Sequence, residues 1–392
     1  MNQLLKNKMI GKGANLMSAL FNNYARRPIS IVEGKGTIVK DSDGKRYLDF
    51  TSGIAVCCLG HAHPSLVKAI QEQSEKIWHI SNLFDSPGQV SLAESLVKDN
   101  HLSHAFFCNS GAEANEAAIK LARKHTEKHH IITFEQSFHG RTFGAMSATG
   151  QEKIQKGFGP LVDKFTVLPF NDVEALKGAI DDSVAAIMLE IIQGEGGVNA
   201  VSEDFANAIN EICETSDILL IVDEVQTGIG RTGTRFAFEQ TSLKPDIVSM
   251  AKGLGGGFPI AGILGTAELY DTFGPGTHGT TFGGNPLGVA VAQTVIDIVF
   301  QQSFLDEVKA KSEYLVKNLK DALPQEQFTV RGKGLMLGID CGREVGSLVA
   351  KAEDAGLLLV AAGPNVLRLL PPLTVSEAEI DEAVEILKSV LL

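Results

Sequence analysis

Two apolar runs that end in opposite charges constrain this chain more than any other feature. Asp223 closes Ile218-Leu219-Leu220-Ile221-Val222, and Lys252 follows Asp246-Ile247-Val248-Ser249-Met250. Short, continuous apolar runs bounded by polar residues read as strands buried on both faces. One such strand delivers a carboxylate and the other an amine, an arrangement suited to a pyridine aldehyde. The lysine would form the imine, and the aspartate would keep the ring nitrogen protonated. By itself Lys252 would read as a solvated surface charge. Four glycines in Gly253-Leu254-Gly255-Gly256-Gly257 strip away the bulk that would screen the amine from a ligand.

The rest of the chain supports a sheet of that kind. Residues 31–50 read as an antiparallel meander with an Asp43-Gly44 turn. Helical patterns cover 64–80, 89–98, 111–125 and 203–215, and strand patterns cover 105–108, 130–134, 184–189, 218–222, 246–250 and 260–264. This alternation predicts an α/β fold: a mostly parallel sheet with helices on both faces. A glycine-rich loop at 274–284 precedes a helix near Pro286. The tail reads as a smaller α+β unit: helices 304–322, 346–355 and 376–391, with strands 327–332, 335–340, 357–360 and 366–370. The expected division is 1–60, joining the small domain; 61–290, the large cofactor-binding domain; and 291–392, the small domain.

With 392 residues, the chain can build two or three core-forming units. Its net charge of −12 argues against a nucleic-acid partner, since phosphate backbones need clustered cations. No apolar stretch reaches the roughly 18 residues of a membrane span. Five cysteines without CxxC spacing read as reduced thiols of a cytoplasmic protein. No acid precedes Glu33, and the residues ahead of Met17 read as an N-terminal extension rather than a targeting peptide.

Other motifs fall at strand ends. Asn109-Ser110-Gly111-Ala112-Glu113-Ala114-Asn115 runs from a strand into a helix. Ser110 with Glu113 is a capping box, while Gly111 and Ala112 place backbone N–H groups at the positive end of the helix dipole. The segment is either an ordinary cap or a phosphate site, and Lys252 and Asp223 favour the latter. After the strand at 130–134, Phe138 stacks on a ring or fills the core, and Arg141 grips a carboxylate or stands as a surface cation. Glu190 ends another strand, just before Gln193-Gly194-Glu195-Gly196-Gly197.

Two patterns are decoys. Gly228-Ile229-Gly230-Arg231-Thr232-Gly233 matches a dinucleotide fingerprint, yet 231–240 opens a helix poorly and no second strand ends in an acid about 20 residues on. His125 and His129 lie four apart without a third ligand, as on a solvated helix face; no metal is expected.

Taken together, the segments from about Tyr24 onward resemble the class-III, fold-type-I aminotransferases that use pyridoxal 5′-phosphate. The motifs that carry the likeness recur in order: Leu59-Gly60-His61-Ala62-His63-Pro64, the 109–115 segment, Phe138-His139-Gly140-Arg141, the 193–197 segment, Asp223-Glu224-Val225-Gln226-Thr227-Gly228, Lys252, and His278-Gly279-Thr280-Thr281-Phe282-Gly283-Gly284-Asn285-Pro286. The resemblance implies a large domain with a mostly parallel seven-stranded sheet and a smaller α+β domain. Lys252 and Asp223 would be catalytic. Ser110, Gly111, Ala112, Phe138, Glu224, Val225 and Gln226 would join them around the cofactor, with Thr281 reaching the phosphate from the second subunit of a homodimer. Arg141, Thr280, Glu195 and Arg368 would bind substrate, Glu195 masking Arg368 when the ω-amino substrate is present. Thr280 and Phe282 stand where the family more often has Ser and Tyr.

The implied reaction moves the δ-amino group of N2-acetyl-L-ornithine to 2-oxoglutarate, a step of arginine biosynthesis. Ornithine, 4-aminobutyrate and N-succinyl-diaminopimelate are alternative donors for the same motifs. A decarboxylase or aminomutase is a different enzyme class on this fold. A non-catalytic scaffold is the reading that Lys252, Asp223, Arg141 and Arg368 together oppose.

Overall fold

The computed structural model describes residues 19–392, so the extension expected ahead of Met17 lies outside the described residues. Its central sheet contains β1 (His104–Cys108), β2 (His130–Phe134), β3 (Phe165–Leu168), β4 (Val184–Leu189), β5 (Leu219–Asp223), β6 (Ile247–Met250) and β7 (Ala261–Gly265). These seven strands lie in the order β1-β7-β6-β5-β4-β2-β3. β7 runs antiparallel to both neighbours and the remaining pairings are parallel. Every residue of β4 is buried, as an unbroken Val-Ala-Ala-Ile-Met-Leu run requires when helices cover both faces. The sequence pattern missed β3, a half-buried edge strand whose Phe-Thr-Val-Leu run is too short to stand out.

Helix α1 (Gly111–Thr126) packs against β6 and β7 through its alanine-rich face. On the other side, α2 (Glu203–Thr215) carries Phe205 into the core, where its ring meets Phe134 edge-on at 5.2 Å and Phe170 at 5.9 Å. Helix α3 (Pro286–Val299) packs on Pro64–Ser74, on Pro87–Val97 and on the turn Lys252–Gly255. The helix expected over 64–80 stops at Ser74 because side chains close it. Trp78 Nε1 donates to the Ser74 carbonyl, and Gln73 Nε2 donates to the Ile77 carbonyl.

The tail sheet is β8 (Thr329–Lys333), β9 (Met336–Asp340), β10 (Val360–Ala362) and β11 (Val366–Leu369), in the order β8-β9-β11-β10. Helices α4 (Gln302–Ala322) and α5 (Glu377–Leu391) pack together beside it. The single strand expected at 357–360 is two. Leu357–Leu358 pairs parallel with Leu48 and Asp49 of the N-terminal meander, and past Leu359 the chain enters the tail sheet. The Leu359 carbonyl at this crossing accepts from Arg27 Nη2.

The glycine pattern at 228–233 precedes no α-helix; only the 3-10 turn Ala237–Gln240 follows. Its Arg231 is 2% exposed and donates from Nη1 to the carbonyls of Leu335 and Pro371, fastening the loop after β5 to the tail. Burial pushes the Arg231 guanidinium down to about 10.

Replacing Phe205 with alanine should lower stability by about 3–5 kcal/mol, the usual cost of emptying a buried aromatic site. Denaturant midpoints would show the loss; a midpoint within error of wild type would contradict this account of the core.

Candidate active site

The parallel register sets Asp223 opposite Ser249, so β5 and β6 end at the same edge of the sheet. Asp223 is 3% exposed. Its Oδ2 accepts from Asn115 Nδ2 at 2.7 Å and from His139 Nδ1 at 2.8 Å, and its Oδ1 accepts from the Val225 N–H at 3.0 Å. Asn115 is fixed in turn: its Oδ1 accepts from Ser249 Oγ at 2.6 Å, and Nδ2 also donates to the His139 carbonyl. His139 Nε2 is buried with no hydrogen-bond partner. Asn115, His139 and Ser249 were not singled out in the sequence. The available signal was a polar Asn on the buried, alanine-lined face of α1.

Lys252 follows β6 by one intervening residue and opens a 3-10 turn with φ +45°, a left-handed conformation unusual outside glycine. Burial pushes its amine below the ordinary lysine range. The Glu195 carboxylate opposes that shift, the Arg368 charge adds to it, and Asp223 and Glu190 also oppose it.

Beside these groups is a cavity of about 380 Å³. One end of it is the start of α1. Glu113 Oε2 accepts from the Ser110 and Asn109 N–H groups while Ser110 Oγ accepts from the Glu113 N–H, completing the cap and leaving Gly111 and Ala112 at the cavity wall. Gly111 must be glycine, because a Cβ there would stand 2.8 Å from Val225 Cγ1. Phe138 and Val225 line the walls, and Asp223, Lys252 and Gln226 line the interior. Arg141, an exposed lining residue, holds its guanidinium 5.8 Å from the Phe138 ring centroid. Glu116 Oε1 steadies the turn after Arg141, accepting from the Thr142 hydroxyl and from the Gly144 and Ala145 N–H groups.

Glu195 and Arg368 meet next to Gln226. Arg368, 1% exposed, donates from Nη1 to Glu195 Oε1 at 2.7 Å and to Gln226 Oε1 at 2.9 Å. Burial alone would raise the Glu195 carboxyl; the Arg368 charge and hydrogen bond outweigh it and hold Glu195 below the usual range. Glu190 has the opposite fate. It is buried, accepts from the Phe138 and Gly194 N–H groups, and is pushed up to about 7 mainly by burial.

Three of the expected residues lie outside this chain's cavity, and for Thr281, expected to serve a second subunit, that is no departure from the expectation. Glu224 does not line the cavity. Its carboxylate turns away, accepting from the Phe238 N–H at 2.8 Å and the Thr227 hydroxyl at 2.6 Å. Thr280 is half-buried and accepts from Asn109 Nδ2 at 3.2 Å, and Thr281 is exposed; neither lines this chain's cavity. Of the two decoy histidines, His125 hydrogen-bonds the Thr272 hydroxyl, and among the described residues no cluster could hold a metal.

The family model for class-III aminotransferases matches residues 20–391. The chain belongs to that family. This class-III aminotransferase is 52% identical over 378 residues to the acetylornithine aminotransferase of Bacillus cereus, covering 96% of this chain and 98% of that protein. It is 54% identical over 377 residues to the acetylornithine aminotransferase of Listeria innocua, with the same coverage. Among solved structures, the N-acetylornithine aminotransferase of Stenotrophomonas maltophilia superposes with a TM-score of 0.81 at 38% identity, over 94% of this chain and 96% of that one. The ornithine aminotransferase of Toxoplasma gondii gives 0.90 at 31% identity, over 95% and 92%.

Glu224 supplies a test of the electrostatics away from the cavity. Burial raises its carboxyl from the ordinary 4.5 to about 7. A raised folded-state value stabilises below the unfolded value, and that stabilisation is lost as pH rises through the folded one. Glu224→Gln removes this titration. The stability of the variant relative to wild type should therefore improve between about pH 4.5 and about pH 7 and level off above. A difference that stays constant across that window in denaturant titrations would refute the assignment.

Proposed function

We propose that this aminotransferase transfers the δ-amino group of N2-acetyl-L-ornithine to 2-oxoglutarate, giving N-acetyl-L-glutamate 5-semialdehyde and L-glutamate, in arginine biosynthesis. The Glu195–Arg368 pair beside the cavity is the observation that carries the choice of substrates. With the carboxylate on the guanidinium, the site presents little net charge to the ω-amino end of the donor. With the carboxylate turned aside, Arg368 is free for the α-carboxylate of glutamate, and Arg141 takes the remaining carboxylate of either substrate. Names of the similar proteins support the acetylated donor. Free ornithine is the second reading, favoured by the close superposition on an ornithine aminotransferase.

Pyridoxal 5′-phosphate suits the residues present. The cavity joins a helix N-terminus, a buried carboxylate and a half-buried lysine, and Gly111 leaves the wall as thin as backbone. When bound, it supplies the aldehyde that exchanges amines and the ring that draws charge from the reacting carbon. Ser110, Gly111 and Ala112 would take the phosphate at the start of α1. Phe138 and Val225 would enclose the ring, with Gln226 at its phenolic oxygen. Asp223, oriented by Asn115 and His139, would keep a proton on the ring nitrogen. Lys252 Nζ would hold the group covalently and, once released, carry a proton away from the substrate's amine-bearing carbon. Its depressed pKa favours the neutral amine this requires.

The same reading makes the enzyme a homodimer, with Thr281 serving the second subunit's site and Thr280 taking part in substrate binding. Exposed Trp78, Leu83, Phe84 and Phe282 offer apolar surface for such an interface. It also places the enzyme in the cytoplasm, where five unpaired cysteines stay reduced. The same reading divides the chain into a large domain at 61–290 and a small one at 291–392 joined by the N-terminal segment, a division that the pairing of Leu48 with Leu357 supports for the described part of that segment.

Lys252→Ala should abolish turnover while the protein stays folded; transamination near the wild-type rate would refute the lysine assignment. Glu195→Gln should shift the ratio of half-reaction rates from N2-acetyl-L-ornithine toward L-glutamate by about tenfold, a partly exposed pair being screened by solvent. An unmoved ratio removes Glu195 as the switch, and kcat/KM for acetylated against free ornithine decides the donor.

A further inference from the structure

The turn that carries Glu195 is strained. Val198 has φ +58° and Gly197 has φ +117°. A β-branched residue in the left-handed region is an outlier that persists only where its surroundings over-determine it. Here every peptide from 194 to 197 is tied. The Gly194 N–H donates to Glu190 Oε2 at 3.2 Å, and the Glu195 carbonyl accepts from the Gly363 N–H at 2.9 Å. The Gly196 carbonyl accepts from Asn199 Nδ2 at 3.0 Å, and the Gly197 carbonyl accepts from Arg331 Nε at 2.8 Å. Arg331 lies on β8, outside the cavity lining.

The register of the tail sheet explains the fit. Arg331 pairs with Gly338, and Gly338 pairs with Arg368. Residues directly opposite on adjacent strands share a face of the sheet, so two arginines stand in one row with a glycine between them. Val198 packs over that gap: a Cβ on Gly338 would lie 3.0 Å from Val198 Cγ2, and a Cβ on Gly332 would lie 3.0 Å from Cγ1. The turn therefore docks on three points, with Glu195 on Arg368, Val198 over Gly338 and the Gly197 carbonyl on Arg331. Arg331 Nη1 also lies 3.5 Å from Asp340 Oδ2 on β9, which orients the guanidinium.

We propose that Arg331 is a positioning residue for substrate selection: it holds the strained Gly197–Val198 turn and thereby sets the reach of Glu195 to Arg368. This rests on reading Glu195–Arg368 as the substrate switch. Arg331 touches neither substrate nor cofactor in this role and acts only through Glu195.

The test uses the holoenzyme and single-turnover half-reactions with N2-acetyl-L-ornithine and with L-glutamate. Arg331→Met, which keeps the aliphatic stem and removes the donor, should move the rate ratio toward glutamate by about fivefold, with cofactor affinity unchanged. In a Glu195→Gln background the same substitution should add no further shift, because the carboxylate it positions is gone. Val198→Ala, which thins the packing over Gly338, should shift the ratio the same way and serves if the Met variant does not fold. Wild-type ratios in Arg331→Met and Val198→Ala, alongside a shifted ratio in Glu195→Gln, overturn the role of Arg331 and leave the switch standing. An equal shift from Arg331→Met in both backgrounds also overturns it, since the effect then bypasses Glu195. An unshifted ratio in Glu195→Gln itself overturns the switch reading and this inference with it.

Discussion

The site depends on the register between β5 and β6. Pairing Val222 with Val248 and Asp223 with Ser249 brings a carboxylate to the sheet edge beside the strand that leads into Lys252. Asn115 then spans both strands, donating to Asp223 and accepting from Ser249. A one-residue slip would send Asp223 to the other face of the sheet and leave a charge against apolar helix. The hydrophobic pattern of the strands and the polar bridge of Asn115 thus enforce the same alignment.

Much of this was legible in the sequence. The apolar runs located six of the seven strands of the central sheet to within a residue or two, because strands buried on both faces leave little room for polar interruptions. Asp223 and Lys252 stood out for the same reason, as charges at the ends of such runs. What stayed hidden depends on direction rather than composition. Glu224 follows Asp223 immediately, and only the backbone path sends its carboxylate to Phe238 and Thr227 instead of the cavity. His139 sat inside a motif that drew attention to its neighbours, and its bond to Asp223 links residues 84 apart in the chain. The split of the strand near Leu359 was invisible because both halves are equally apolar, and only their partners differ.

Two carboxylates near the cavity show how environment divides identical chemistry. Glu190 has backbone N–H donors but no cation bound to it, and burial pushes its carboxyl up to about 7. Glu195 is only partly buried, and a guanidinium at 2.7 Å favours its ionised form. One is therefore a neutral-prone brace between Phe138 and Gly194, and the other a carboxylate whose charge is favoured by the guanidinium it faces. The overall charge of −12 predicts neither outcome.

Arg231 limits how the molecule can move. Its guanidinium reaches from the loop after β5 to carbonyls at Leu335 and Pro371, and it is sealed from water. Swinging the tail away as a rigid body would strip a cation of its acceptors before solvent could replace them. A hinge through this seam is therefore expensive, and the Glu195–Arg368 contact sits in a frame that resists rigid-body separation of the tail from the sheet.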